Sequence, residues 1–220
     1  MLSNYRAEPV PSPGAVHIWC RETGTLDQNV IDQAETGLSA EERVRCDRFR
    51  FPHDRRDYIM AHDLLRRSLD GFEGHPVPPS SSLSHARGVV ACAIAAGIPI
   101  GVDVERIDRS MVVDGLAERH FTPAEAAALQ RCPGPTRATR FVELWTLKEA
   151  FLKAIGLGLT LAPNSMSFEL GERGSIRFTP PPGIDGESWH FGLFEPFEVT
   201  RVAVAVSCRL RGGPRFVLHS

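Results

Sequence analysis

The sequence predicts an α+β protein made of two similar halves packed as a pseudo-dimer, and three observations carry that expectation. Each half offers one long amphipathic helix and, late in the half, an apolar strand: Val89-Val-Ala-Cys-Ala-Ile94 in the first and Val202-Ala-Val-Ala-Val206 in the second. A break at Ala96–Pro99, with Gly97 and Pro99, separates the two and divides the chain into 1–98 and 99–220. Finally, 220 residues with 42% hydrophobic and 24% charged content suffice to bury a core of this size.

Taken in order, residues 15–20 read as a first strand. Ser39 followed by Glu42 has the spacing of a capping box and starts a helix. Asp54 is a second candidate cap, for a helix through Leu69 with apolar residues at Tyr58, Ala61, Leu64, Leu65 and Leu69. A Gly/Pro/Ser-rich loop covers 71–82, residues 83–95 are strand-like, and 99–105 form the next strand. Thr122-Pro-Ala-Glu125 combines an N-cap, a proline at the first helical position and an acid in the first turn. Residues 137–155 are the strongest helix, stopped by Gly156 and Gly158. Further strands are expected near 167–170, 175–178, 189–194 and 201–209.

Composition excludes several functions. The formal net charge of −2 gives no global field for nucleic acid or an anionic membrane. Residues 1–13 hold three prolines and no apolar core of a signal peptide, and the uncharged run 88–102 is too short to span a bilayer. Five cysteines, with no C-x-x-C pair, argue against a disulfide framework or a zinc site and for a reducing, cytoplasmic compartment. One local basic stretch stands out: 43–67 carries eight arginines against four aspartates.

The chemistry concentrates in two motifs. In Gly101-Val-Asp103-Val-Glu105 the two acids lie two apart, so on a strand both leave by one face. Two hard oxygen ligands on one face suit Mg²⁺; the plainer alternative is a solvated strand end paired with Arg106 or Arg109. The second motif holds the only lysines among 25 basic residues, Lys148 and Lys153, in Trp145-Thr-Leu-Lys-Glu-Ala-Phe-Leu-Lys153. Lysine is a compact ammonium where arginine is a planar fork, so its exclusive use here points to a spot that needs that shape. Glu149 and Lys153 are four apart, which also fits an ordinary helical ion pair. Lys148 falls inside the apolar arc, where it must snorkel or meet an anion. Ser84-His85 precedes an apolar strand and could offer a ring nitrogen to phosphate, or be an ordinary hydrogen-bonded histidine. Glu125 reads first as a partner of its own helix start.

Together these motifs resemble the 4′-phosphopantetheinyl transferases, in particular the larger monomeric class that activates surfactin-type peptide synthetases. The resemblance runs through Ser82-Leu-Ser-His85, Gly101–Glu105, Phe121-Thr-Pro-Ala-Glu125 and Trp145–Leu159, with weaker likeness at 48–55 and 163–168. It implies a transferase-like pseudo-dimer with coenzyme A held in the cleft between the halves. The implied reaction moves the phosphopantetheine arm onto a serine of an apo acyl or peptidyl carrier protein and releases adenosine 3′,5′-bisphosphate. By motif, Asp103, Glu105 and Glu149 would hold Mg²⁺ on the pyrophosphate, Lys153 would neutralise the phosphoryl group in flight, and Glu149 could take the serine proton. Arg45, Arg48, Arg56, His75, Ser84, His85 and Lys148 are the implied coenzyme A contacts. Three departures stand out: Gly74-His75-Pro76 replaces a Gly-Lys/Arg-Pro segment, the 69–83 loop is short, and Asp57 stands where many relatives carry an arginine. Two other readings share these residues: a metal-dependent phosphohydrolase, and a non-catalytic module that binds carrier proteins.

Overall fold

The structure, a computed structural model, describes residues 14–108, 110, 113–156, 161–210 and 212–220. The expectations for residues 1–13 and for a stop at Gly158 lie outside these residues. The chain divides into two compact units, one formed by Met1–Ile98 with Leu210–Ser220 and the other by Pro99–Arg209. Among the described residues no helix is long and apolar enough to cross a membrane.

In the first unit, β1 (Ala15–Glu22), β2 (Pro79–Ala86) and β3 (Val89–Ala96) pair antiparallel, and β9 (Arg215–His219) adds parallel to β1, giving the order β2-β3-β1-β9. The expected partition therefore fails for 210–220, because β9 continues the sheet of the first unit. The strand-like run at 83–95 is a hairpin whose two-residue turn, Arg87-Gly88, has positive φ at both positions (27° and 89°). That matches the twist of the flanking strands and favours glycine. Helices α1 (Gln28–Thr36), α2 (Ala40–Cys46) and α3 (Pro52–Leu69) complete the unit. Ser39 and Glu42 form the capping box that their spacing requires. Helix α3 starts at Pro52 rather than after Asp54, since a proline at the first position has its φ already set for helix. Its apolar face, with Tyr58, Ala61 and Leu64, packs on Val90 and Cys92 of β3.

Asp57 explains why this sheet and helix stay in register. It is fully buried, yet it accepts from Thr23 Oγ1 (2.5 Å), Gly88 N (2.7 Å) and Arg56 Nε (3.1 Å). One carboxylate thus ties α3 to the end of β1 and to the hairpin turn. A buried charge without such partners would cost several kcal/mol.

In the second unit, β4 (Ile100–Arg106), β8 (Thr200–Ser207) and β7 (Trp189–Phe194) form an antiparallel sheet in the order β4-β8-β7, and β5 (Ser167–Leu170) pairs with β6 (Ile176–Thr179). Helix α6 (Gly134–Ile155) lies on the sheet, preceded by α4 (Asp114–His120) and α5 (Pro123–Arg131), and ends at Gly156 with φ 67°. Its core is Phe141, Leu144, Phe151 and Leu152 packed with Phe168, Met166, Leu129 and Phe121. Each unit, taken by itself, therefore lays one long helix on a sheet, antiparallel in the second unit and antiparallel except for β9 in the first.

The approach of α6 to β4 is set by small residues. Gly101 pairs with Ala205 across β4 and β8, and Ala203 lies on the same face, so the sheet is low where α6 crosses these two strands. A Cβ built on Gly101 would sit 2.0 Å from the Ala150 carbonyl oxygen and 2.5 Å from the Ala154 amide nitrogen. Both are backbone atoms and cannot rotate away. Gly101→Ala must therefore lift α6, and we expect it to cost about 2–3 kcal/mol as an overpacked core substitution. A urea midpoint equal to that of the parent would refute the close approach.

Candidate functional site

Strand alternation places Gly101, Asp103 and Glu105 on the face of β4 that meets α6. Because Gly101 lets the helix close in at Ala150 and Ala154, Lys153 arrives above the next facing residue. Its Nζ donates to Asp103 Oδ1 at 2.8 Å. Asp103 is buried, while Lys153 and Glu105 are partly exposed. Thus the lysine of the helix motif pairs with the strand motif fifty positions away, in addition to any local relation with Glu149.

Three carboxylates share this patch with one ammonium. Burial pushes the Glu105 carboxyl up to about 7, and the neighbouring Asp103 charge adds to the rise; Lys153 and a hydrogen bond from Trp145 oppose it. Glu149 is raised too, first by burial and then by Asp103, again against Lys153. The excess negative charge and the hard oxygen donors fit a divalent cation such as Mg²⁺. Among the described residues no group of three or more His, Cys, Asp or Glu side chains is arranged to hold a metal ion. That is compatible with Mg²⁺, which is commonly bound through one or two protein carboxylates with water and substrate phosphate, rather than in a closed protein cage.

Lys148 requires a correction. It does not offer its ammonium to a ligand: it is fully buried and donates to Glu125 Oε2 (2.8 Å), Pro163 O (2.8 Å) and Met166 O (2.7 Å). An ammonium has three protons, and all three are used inside the unit. Burial pulls its pKa below the ordinary lysine value, with Glu125 working against that loss. Glu125 in turn caps its own helix through Thr122 N and Oγ1 (both 2.9 Å) and accepts from Phe168 N (2.9 Å).

The other anticipated residues belong to the first unit. Arg45 and Arg48 line an open cavity of about 810 Å³ with Ala40, Glu41, Val44 and Phe49. The His85 ring stands edge-on to Phe49 at 6.3 Å, and Phe49 also lines the cavity with Arg45 and Arg48. Arg56 is not among them, because it is paired with buried Asp57. Ser84 is buried and leaves β2 by the face opposite to His85. His75 sits in a turn with Nδ1 2.8 Å from Val77 O. Much of the arginine excess is likewise structural: Arg43 donates to Leu38 O and Thr36 O, Arg55 pairs with Glu35, and Arg67 with Asp63. Reasoning from sequence missed Gly101 and Asp57 as organising residues. The glycine in an otherwise β-branched strand was the available signal for the first.

A pH prediction follows from Glu105. Its folded pKa lies above the ordinary 4.5, so the fold favours the protonated form. Below about pH 4.5 folded and unfolded chains are both protonated there and the group contributes nothing. As pH rises from about 4.5 to about 7 the unfolded chain ionises first and stability falls; above about 7 the loss is complete. In metal-free buffer, Glu105→Gln should melt with the parent near pH 4 and be more stable by about 1–2 kcal/mol at pH 8, allowing for partial exposure. Parallel melting curves across this range would rule out the charge crowding.

Residues 99–207 match the family model described as the 4′-phosphopantetheinyl transferase superfamily. The 4′-phosphopantetheinyl transferase HetI of Nostoc sp. is 30% identical over 166 residues, spanning 66% of this chain and 70% of that protein. The 4′-phosphopantetheinyl transferase ffp of Bacillus subtilis is 30% identical over 176 residues, 71% of this chain and 77% of that one. Among solved structures, holo-[acyl-carrier-protein] synthase (AcpS) from Neisseria meningitidis aligns with 50% of this chain and 98% of its own at 21% identity and a TM-score of 0.42. The likeness to these transferases covers both motifs and most of the chain around them, and the chain belongs to the 4′-phosphopantetheinyl transferase superfamily.

Proposed function

We propose that this chain transfers the 4′-phosphopantetheine arm of coenzyme A to a serine hydroxyl of an apo acyl or peptidyl carrier protein, using Mg²⁺. The observation that supports the reading most directly is the Lys153–Asp103 pair, which joins the two family motifs into one acidic patch with a single ammonium. Asp103, Glu105 and Glu149 are the candidates to hold the metal, of which one or two would bind it directly and the rest through water. When bound, Mg²⁺ screens the pyrophosphate charge of coenzyme A. Arg45, Arg48 and His85 are the candidates for its nucleotide phosphates. As a cytoplasmic enzyme acting as a monomer, the protein would keep its five free cysteines reduced.

The step balances as an in-line phosphoryl transfer. The serine oxygen forms a bond to the phosphorus that carries pantetheine, and the bond from that phosphorus to the bridging oxygen breaks. The electron pair leaves with adenosine 3′,5′-bisphosphate. Lys153 stabilises charge on the phosphoryl oxygens as they pass through the transition state. The serine proton goes to a carboxylate, directly or through a water molecule. Glu149 is the candidate, as the carboxylate that α6 presents beside Lys153 and Asp103.

The decisive experiment incubates the protein with coenzyme A, Mg²⁺ and an apo carrier and weighs the carrier, which should gain one phosphopantetheine. Release of phosphate products with an unmodified carrier would instead favour a phosphohydrolase. Asp103→Ala should abolish transfer. Lys153→Arg keeps the charge but puts a planar fork where a compact ammonium fits, so kcat should fall at least tenfold, about 1.4 kcal/mol. Wild-type kcat in that variant would reduce the pair to an ordinary ion pair. Arg45→Glu and Arg48→Glu should raise KM for coenzyme A, and the effect should shrink in high salt because both side chains are exposed to screening.

A further inference from the structure

The two lysines each meet a carboxylate but differ in burial and in the side of α6 they leave, and the difference assigns the first one a task. Lys148 and Glu149 are adjacent on α6, about 100° apart around the helix. Lys148 therefore points away from β4, into the region between α6, α5 and the segment that leads into β5. There its three N–H bonds meet three acceptors at 2.7–2.8 Å, and its ammonium stands 5.2 Å from the centre of the Phe121 ring. Nothing in this geometry reaches a ligand.

Apolar packing alone does not fix a helix about its own axis, because hydrophobic contact is non-directional. Hydrogen bonds are directional and weaken steeply when bent. On the sheet side, α6 meets Gly101 and the alanines of β8 at close range and is tied to the strands by Lys153–Asp103 and Arg201–Glu143. On the far side, the Lys148 node adds three further directional bonds, so the helix is held about its axis from both sides. The node is also anchored outside α6, since Glu125 is locked to the start of α5 and to Phe168 N.

We propose that Lys148 is a positioning residue for the transfer reaction: its pairing with Glu125 sets the rotational phase of α6, and thereby aims Glu149 and Lys153 at Asp103 and Glu105. The inference rests on the functional reading above, which gives Glu149 and Lys153 their roles. It also accounts for lysine here in a chain that otherwise uses arginine. Three acceptors around a fully buried site match an ammonium, whereas a guanidinium brings five donors in a rigid plane.

The test uses the full chain. Lys148→Met alone strands the Glu125 charge in the interior and can fail to fold, so the informative variant is Lys148→Met with Glu125→Gln, which removes both charges. Leu129→Ala, a truncation in the same core that removes none of the node's hydrogen bonds, serves as a control for lost stability. Melting temperature, carrier modification and the Mg²⁺-dependent part of the coenzyme A-induced rise in Tm are measured for each. The expected result is a folded double variant whose kcat falls at least tenfold and whose Mg²⁺-dependent Tm increment is reduced, while Leu129→Ala, though less stable, keeps both. A folded double variant with parental kcat and increment would overturn the proposal, as would an equal loss of kcat in Leu129→Ala. If the parent itself does not modify the carrier, it is the functional reading that fails; the Mg²⁺-linked Tm increment then still reports whether the acidic patch has been re-aimed.

Discussion

Helix α6 and strand β4 touch backbone to backbone, and the second unit is organised by that contact. With no side chain at Gly101, the Ala150 carbonyl and Ala154 amide come within the space a methyl group would fill. The motif residues gain from this in two ways. Lys153 reaches Asp103 without stretching, and Glu149 and Glu105 come close enough to feel the Asp103 charge. A bulkier residue at 101 would relax the crowding and with it the electrostatic tension that a divalent ion can relieve.

Each unit also relies on one buried carboxylate that gathers segments distant in sequence. In the first, Asp57 joins a helix, a strand end and a hairpin turn; in the second, Glu125 joins a helix start, a lysine and a strand. Both acids satisfy their oxygens chiefly with backbone N–H groups, hydroxyls and one cation each. Such satisfied polar nodes rigidify a core, whereas a half-satisfied one would be costly. The presence of aspartate at 57 is thereby explained by the fold of this chain, and the nearest guanidinium, Arg56, is engaged there as well.

The local features of this architecture were readable from the sequence. The period-2 spacing of Asp103 and Glu105, the capping box at Ser39, the N-cap at Thr122 and the long helix all depend on neighbours within a few residues. What escaped depends on distant partners. The apolar arc located Lys148 correctly, but its acceptors lie 15–23 positions away, so the choice between a ligand and an internal anion was open. The arginine-rich stretch was visible as charge, yet only the fold reveals that Arg43, Arg55, Arg56 and Arg67 are engaged internally while Arg45 and Arg48 face a cavity. Strand β9 carries no signal that would assign it to β1 rather than to the neighbouring tail strands.

That last pairing gives the chain an order of assembly. The entire second unit is inserted between β3 and β9 of the first, so the ribosome delivers the outer strand of the first sheet only after the second unit has been made. At about 5–20 residues per second, the open edge of β1 waits on the order of ten seconds for its partner. During that interval it exposes unpaired backbone amides and carbonyls, the kind of edge that recruits foreign strands. Newly made chains are thus exposed to edge-to-edge aggregation throughout that interval, and chaperones that bind extended segments should matter most then.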